Sequence, residues 1–195
     1  EMASLVHEES SRLAKSLRAD AIAAGDNIVI DTVLSNKSDA LELGQSLNEA
    51  GYDVRVIDVE VPYALSEQRI RARWEQAYIT ALGGGDSLGG RWVPSEYARD
   101  VFDGPDGKSK PEAAARALAE TNPAVSRYRV YRTSTEEAHM AEAEGRRAEP
   151  SLVVDMTRVD AERTLVPTAS VHALRRTPSP RGTRQGRSDN AVRER

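Results

Sequence analysis

"NIVID" at residues 27–31 and "VRVIDVEV" at residues 54–61 decide the fold class of this chain. Both are rich in β-branched residues, and the unalternated run Ile28–Ile30 is typical of a strand covered on both faces. Residues 40–50 carry alanines and leucines at helical spacing, and several N-cap candidates precede them: Ser35, Asn36, Ser38 and Asp39. A strand, a helix of about a dozen residues and a second strand predict a right-handed parallel crossover. We therefore expect an α/β fold.

Other elements flank this unit. Residues 5–24 have the spacing of an amphipathic helix, which Gly25 should end in a left-handed conformation. Further predicted elements are a helix opening at Ser66, short helices at 95–102 and 111–120, a strand at 127–131 and a candidate strand at 152–154. Residues 137–150 are polar and weakly patterned. The expected architecture is a partial parallel sheet with flanking helices.

Composition excludes several classes of protein. A chain of 195 residues is long enough for one ordinary core. The absence of cysteine excludes a disulfide scaffold, a thiolate metal site and a cysteine nucleophile, and makes the cytoplasm the expected compartment. No apolar run reaches the roughly 18 residues of a membrane span. The net charge of -4 argues against a nucleic-acid-binding body.

The C-terminal residues differ from the rest. Residues 175–195 hold seven arginines against one aspartate and one glutamate, with prolines, glycines and serines, and this composition predicts a disordered tail. Such a tail binds nucleic acid only weakly and without specificity, through charge. The predicted organisation is a folded domain over 1–135, a poorly defined extension over 136–174 and the arginine-rich tail over 175–195.

Two further motifs, added to the strands, carry a resemblance to a known family. They are Arg73-Trp74-Glu75-Gln76-Ala77-Tyr78 and Gly90-Arg91-Trp92-Val93-Pro94. With them, residues 6–131 resemble the zeta toxins, P-loop kinases that phosphorylate UDP-N-acetylglucosamine. The resemblance implies a P-loop-kinase-like sheet, ATP with Mg²⁺ as cofactor, UDP-N-acetylglucosamine or a similar sugar nucleotide as substrate, and a small helical antitoxin as partner.

The phosphate-binding motif of such kinases is missing from this sequence. A P-loop needs Gly, four residues and Gly-Lys-Ser/Thr, so that backbone N–H groups and the lysine hold the phosphates. Gly107-Lys108-Ser109 comes close, but Phe102 stands where the first glycine belongs and the neighbouring prolines indicate a surface turn. The resemblance therefore implies a kinase domain that lacks its N-terminal P-loop portion.

Arginines are the candidate catalytic and ATP-binding residues. The resemblance implies that Arg73 and Arg91 contact the ATP phosphates, because a planar guanidinium pairs with phosphate oxygens and stabilises charge on the transferring group. Arg69 lies four residues before Arg73 and shares its helix face. The alternative is a set of surface arginines paired with nearby glutamates: Glu67, Glu75 and Glu96.

Asp31, Thr32 and Glu9 are the candidate substrate-binding residues. Asp31 ends a predicted strand, and open α/β sheets bind ligands outside the carboxyl ends of their strands. This sequence has Thr32 where the family usually has glycine and Val33 where it has a threonine. Lys15 stands where the family has an acidic contact, so Glu9 matches that acid only in a shifted alignment. Alternatively, Asp31 caps the turn into the next helix, and the negative charge of Glu9 interacts favourably with the dipole at the start of its own helix.

Two functions therefore stay open. One is an ATP-dependent, zeta-toxin-like kinase of a sugar nucleotide, UDP-N-acetylglucosamine or another acceptor, that is inactive as this fragment. The other is a non-catalytic, degenerate kinase fold that binds a nucleotide or an antitoxin-like protein; Lys15 and Val33 favour it. The three histidines, His7, His139 and His172, are scattered, so we predict no metal site.

Overall fold

The computed structural model describes residues 6–85, 89–161 and 163–169. In chain order the elements are α1 (His7–Ala24), α2 (Lys37–Glu49), β1 (Val54–Glu60), α3 (Tyr63–Leu82), α4 (Ser95–Phe102), α5 (Lys110–Thr121), β2 (Val125–Arg132), α6 (Thr135–Ala143), β3 (Ser151–Thr157) and β4 (Val166–Pro167). A 3-10 turn at Pro105–Gly107 precedes α5.

The strands form one four-stranded sheet in the order β1-β2-β3-β4. β1 and β2 are parallel, with Val54 opposite Val125 and Glu60 opposite Arg132. β3 and β4 extend the sheet in antiparallel pairing. The predicted α/β class with flanking helices is confirmed. The predicted parallel sheet is present as the β1–β2 pair, whereas β3 and β4 are antiparallel, and the carboxyl ends of β1 and β2 meet at one edge.

The core lies between α5 and the β1–β2 pair. Its buried residues are Ala115, Leu118, Ala119, Val125, Tyr128 and Val130. α2 packs on α5 at close range, because Gly44 has no side chain where Leu118 lies. Burying this apolar surface is the main stabilising term. It fixes α5, and with it the N-terminus of α5, against the ends of the parallel strands.

The predicted strand at Ile28–Ile30 is wrong. Residues 26–36 form no strand, and the Val29 side chain is 98% exposed. A strand needs a ladder partner for its N–H and C=O groups, and β1 pairs with β2 instead. The predicted crossover through α2 is therefore absent, and the parallel pair is closed by the longer connection through α3, α4 and α5.

α1 is present where it is predicted, but its apolar residues are not covered in the described part of the chain. Leu13 and Leu17 are 62% and 59% exposed. The helix ends at Gly25 in the predicted left-handed conformation, with φ of 74°. The hydroxyl of Tyr52 then donates to the carbonyl of Asp26 at 2.9 Å. α1 is thus held near its C-terminal end by one tyrosine.

The region predicted to be a poorly defined extension contains regular elements. Its candidate strand at 152–154 is confirmed as part of β3, and α6 begins with a capping box between Ser134 and Glu137. The strand predicted at 127–131 is present within β2, followed by β3 and β4. The predicted tail at 175–195 lies outside the described residues. Within them, no helix is long and apolar enough to cross a membrane.

Candidate functional site

The arginine-bearing helix α3 follows directly from the carboxyl end of β1. Val61 and Pro62 separate the two elements, and Pro62 supplies the extended N-cap conformation with φ of -59°. α3 buries one of its residues, Leu65, near its N-terminus. The rest of the helix projects from the edge of the sheet where ligands of open α/β folds bind.

Arg69 and Arg73 lie exposed on α3. No salt bridge within 4.0 Å joins either guanidinium to a carboxylate in the described residues, so the predicted alternative of pairing with nearby glutamates is not formed there. Glu67 interacts elsewhere, since hydrogen bonds from Ser95 and Tyr63 lower the pKa of its carboxyl. Both guanidinium groups therefore keep their donors available for an anionic ligand.

Aromatic contacts bring Arg91 to the same helix. The rings of Trp74 and Trp92 meet edge to face, with centroids 5.3 Å apart. At Gly90, an added Cβ would lie 2.7 Å from the carbonyl oxygen of Trp74, so this close approach requires glycine. Arg73 and Arg91 thus flank one contact between α3 and the Gly90–Trp92 segment.

Arg91 also reaches the start of α1, the helix that carries Glu9. Its Nη1 lies 2.6 Å from Nε2 of His7. Glu9 is exposed in the first turn of this helix. The His7 contact therefore brings the beginning of α1, with one candidate substrate-binding residue, to the candidate phosphate-binding loop.

Asp31 and Thr32 occupy a different segment. Both are exposed in the irregular stretch between α1 and α2. Thr32 Oγ1 accepts a hydrogen bond from the N–H of Leu34 at 3.4 Å, and Leu34 has a positive φ of 53°. No hydrogen bond or salt bridge joins Asp31 to an arginine in the described residues. Because Ile28–Ile30 is not a strand, Asp31 does not end one, and the argument that placed it at a sheet edge is wrong.

A second cluster of polar side chains lies at the carboxyl ends of β1 and β2. Asp58 and Glu60 are 7% and 9% exposed, and Glu112 from the first turn of α5 is 5% exposed. One oxygen from each of these carboxyls lies within 4.8 Å of the other two. We call these three residues the carboxyl cluster.

Three neighbouring residues contact the carboxyl cluster, two just before α5 and one at the end of β2. Ser109 is the N-cap of α5: its Oγ accepts from the N–H of Glu112 at 3.0 Å and donates to Glu60 Oε1 at 2.6 Å. Arg132 Nη2 donates to Glu112 Oε2 at 2.6 Å. Lys108 Nζ lies 4.0 Å from Glu112 Oε1. Two cations therefore face Glu112, and neither forms a salt bridge with Asp58.

One oxygen of Asp58 is left without a hydrogen-bond partner by this arrangement. This buried Oδ2 receives no hydrogen bond from the residues that the structure describes. Burial is the largest cause that raises the pKa of Asp58, to about 7, and it is followed by repulsion from Glu60 and by a hydrogen bond between the two carboxyls. Asp58 is therefore a buried acid that titrates near neutral pH.

The comparison with protein families identifies the chain. The zeta toxin profile matches residues 1–142 of 195, which is well over half of the chain and includes every candidate residue named above. This chain belongs to the zeta toxin family. Membership indicates a kinase-like, nucleotide-dependent function in a toxin–antitoxin system. No curated protein and no solved structure matches the chain.

The Gly107-Lys108-Ser109 stretch of this zeta toxin family member is not a strand-to-helix phosphate loop. It begins at the last residue of the 3-10 turn Pro105–Gly107. The hydroxyl of Ser109 caps α5 and donates a hydrogen bond to Glu60. The interpretation as a surface turn fits Gly107, which is exposed. It does not fit Ser109, which is 7% exposed.

Sequence reasoning missed the carboxyl cluster of this zeta toxin family member. Asp58 and Glu60 lie within a predicted strand and Glu112 within a predicted helix, and neither pattern marks these acids as members of one site. One signal was present: two acids at spacing two point to the same side of a strand. The prediction of no metal site rested on histidine spacing, which does not find carboxylate sites, and that prediction remains untested.

Proposed function

We propose that this chain forms the acceptor-facing part of an ATP-dependent kinase of a sugar nucleotide, UDP-N-acetylglucosamine or a close relative, and that this kinase is the toxin of a cytoplasmic toxin–antitoxin system. The observation that carries the proposal is the family match over residues 1–142. ATP with Mg²⁺ supplies the phosphoryl group when it is bound. The contribution of this chain is positive charge at the phosphates and contacts to the acceptor.

The proposed phosphate contacts come from the segment around Trp74. Arg73 and Arg69 are exposed without a carboxylate partner in the described residues, which suits groups that receive an anion. Arg91 is anchored beside them by the Trp74–Trp92 contact. A guanidinium pairs with two phosphate oxygens at once, so these arginines would orient the phosphates and stabilise charge during transfer.

The proposed acceptor contacts are Glu9, Asp31 and Thr32. Glu9 lies near Arg91 through the His7 contact, whereas Asp31 and Thr32 lie in the exposed segment before α2. Carboxylate and hydroxyl oxygens accept and donate hydrogen bonds to sugar hydroxyls. In this proposal Asp31 and Thr32 contact the sugar only when the segment closes on the acceptor.

The test is an assay of phosphoryl transfer combined with calorimetry. The purified chain is incubated with Mg-ATP and UDP-N-acetylglucosamine, and the product is identified by mass spectrometry; each ligand is also titrated alone. Arg73→Ala and Arg91→Ala are compared with Arg55→Ala, an exposed arginine on β1 whose nearest carboxylate is Asp53 at 3.7 Å. All three variants lose one positive charge.

The proposal is supported if Arg73→Ala and Arg91→Ala each reduce phosphoryl transfer or sugar-nucleotide binding by about tenfold or more. Arg55→Ala should not reduce either one. Equal losses in all three variants would mean that general charge is responsible. Absence of binding by either ligand would contradict a small-molecule function for this chain.

A second candidate function has its own observation. The apolar side chains of Leu13 and Leu17 on α1 and of Ile57 and Val59 on β1 are each about 60% exposed. Exposed apolar surface of this kind suits a protein partner. We propose, as the alternative, a non-catalytic fold that binds an antitoxin-like helical protein.

Co-purification tests this alternative. The chain is expressed together with a small helical antitoxin of the zeta toxin family, and a Leu13→Ser, Leu17→Ser double variant is compared with an Ala14→Ser control on the same helix. Loss of the complex in the leucine variant alone supports the alternative. Retention of the complex in both would exclude α1 as the contact.

A further inference from the structure

The carboxyl cluster sits at a ligand-binding position of the fold. Asp58 and Glu60 are at the carboxyl end of β1, beside the carboxyl end of the parallel strand β2. Open α/β sheets bind ligands outside this edge of parallel strands. Glu112 closes the cluster from the first turn of α5. Two elements distant in sequence, β1 and α5, therefore bring three buried carboxyls together.

The unpartnered oxygen of Asp58 distinguishes this cluster from an ordinary set of acidic residues. It is 7% exposed, and its Oδ2 has no hydrogen-bond donor among the residues described. A buried polar atom without a partner costs free energy unless something satisfies it. One carboxyl oxygen of Asp58 lies within 4.8 Å of a carboxyl oxygen of both Glu60 and Glu112, so the side chain of Asp58 reaches into the cluster.

The donor set and its spacing fit a hard cation. Carboxylate oxygens are the ligands preferred by Mg²⁺, Mn²⁺ and Ca²⁺. Metal–oxygen distances of about 2.1–2.4 Å place opposite ligands of an octahedral ion about 4.2–4.8 Å apart and neighbouring ligands closer. The three oxygens lie within 4.8 Å of one another, so they are close enough to share one coordination shell.

We propose that Asp58, Glu60 and Glu112 bind a hard divalent cation of the Mg²⁺, Mn²⁺ or Ca²⁺ class. This cation is separate from the Mg²⁺ that accompanies ATP, and the proposal does not rest on the proposed kinase function. The cation joins the N-terminus of α5 to the end of β1 and stabilises the edge of the sheet from which α3 projects.

The charges around the cluster determine how the cation binds. Arg132 holds one oxygen of Glu112, and Lys108 approaches the other at 4.0 Å. Lys108 is 28% exposed at its side chain, so it can turn towards solvent when a cation enters. Tyr128 of β2, whose pKa is raised by burial and by Asp58, stays neutral and adds no charge.

The experiment is a titration of the chelator-treated, full chain without nucleotide. Mn²⁺ binding is followed at pH 8 by loss of the free-ion electron paramagnetic resonance signal, and Mg²⁺ and Ca²⁺ are added as competitors. The expected result is one saturable site. Asp58→Asn and Glu60→Gln should each weaken it by about 10- to 100-fold. Asp53→Asn, an exposed acid just before β1, should not change it.

Circular dichroism of each variant in the presence of chelator shows whether the variant is folded, so that a loss of metal binding can be distinguished from a loss of folding. Asp58→Asn removes the charge but keeps the shape, so this variant folds without a cation. Failure of Mn²⁺ to bind the wild-type chain at millimolar concentration would overturn the proposal. Equal affinity in folded Asp58→Asn and wild type would overturn it as well.

Discussion

Replacement of Asp58 by asparagine should stabilise the chain at alkaline pH in the absence of divalent cations. The pKa of Asp58 is raised from 3.8 to about 7, so the folded chain holds a proton that the unfolded chain releases. The stability of the wild type is therefore full below about pH 3.8, falls as pH rises, and reaches its lower limit above the folded pKa of about 7.

The size of this effect follows from the shift. A rise from 3.8 to about 7, at about 1.4 kcal/mol per pH unit, amounts to roughly 4 kcal/mol in total. Between pH 5 and pH 8 the wild type should lose roughly 2–3 kcal/mol of unfolding free energy through this group. The D58N amide resembles the protonated acid, because it can donate to a neighbouring carboxylate and carries no charge.

Urea denaturation in chelator at pH 5 and pH 8 measures the difference. The D58N variant should exceed the wild type at pH 8 and lose most of the pH dependence. The matched control, Asp53→Asn, changes an acid that is 59% exposed and should stay within about 0.5 kcal/mol of the wild type at both pH values. The reasoning is refuted if D58N is no more stable than the wild type at pH 8, or if its pH dependence is unchanged.

Three further substitutions test the packing and the salt bridges. In Gly44→Ala, the new Cβ would lie 2.2 Å from Leu118 Cδ1, so the unfolding free energy in urea should fall by about 1–3 kcal/mol; an unchanged midpoint would contradict the close packing of α2 on α5. Arg158→Lys keeps the charge but loses the simultaneous bonds to the carbonyls of Ala119 at 2.6 Å and Val125 at 2.9 Å, and the melting temperature should drop by the equivalent of about 1–3 kcal/mol. Asp155→Asn breaks the two-bond salt bridge with Arg127, which lowers the pKa of Asp155 to about 2. The variant should be less stable than the wild type by about 1–2 kcal/mol at pH 7, where this partly exposed pair is formed. The difference in stability should vanish as pH falls towards 2.

The sequence predicted most helices and the three longer strands, because their signals are local. Asn36 caps α2 and Gly25 ends α1 where their chemistry requires it. The wrong strand at Ile28–Ile30 shows the limit of such signals. β-branched residues favour extended backbone, but a strand also needs a neighbour, and the neighbour of β1 is β2, 71 positions further along.

Part of the candidate site could likewise be predicted from local sequence signals, and part of it could not. The arginines of α3 and the Gly90–Trp92 segment were found from motifs in the sequence, and the Trp74–Trp92 contact brings them together. The carboxyl cluster was not found, because its members come from a strand and a helix that only tertiary packing joins. Nothing local to Glu112 shows that it is buried.

The sparse attachment of α3 has a consequence for hydrogen exchange. Leu65 is the one residue that this helix buries, whereas α5 buries five. α3 therefore behaves as a separate cooperative unit that opens without unfolding the sheet, and its amides should exchange with deuterium orders of magnitude faster than those of α5 and β2. A ligand that bridges Arg73 and Arg91 would slow that exchange, and the conformational entropy lost in doing so would lower its affinity.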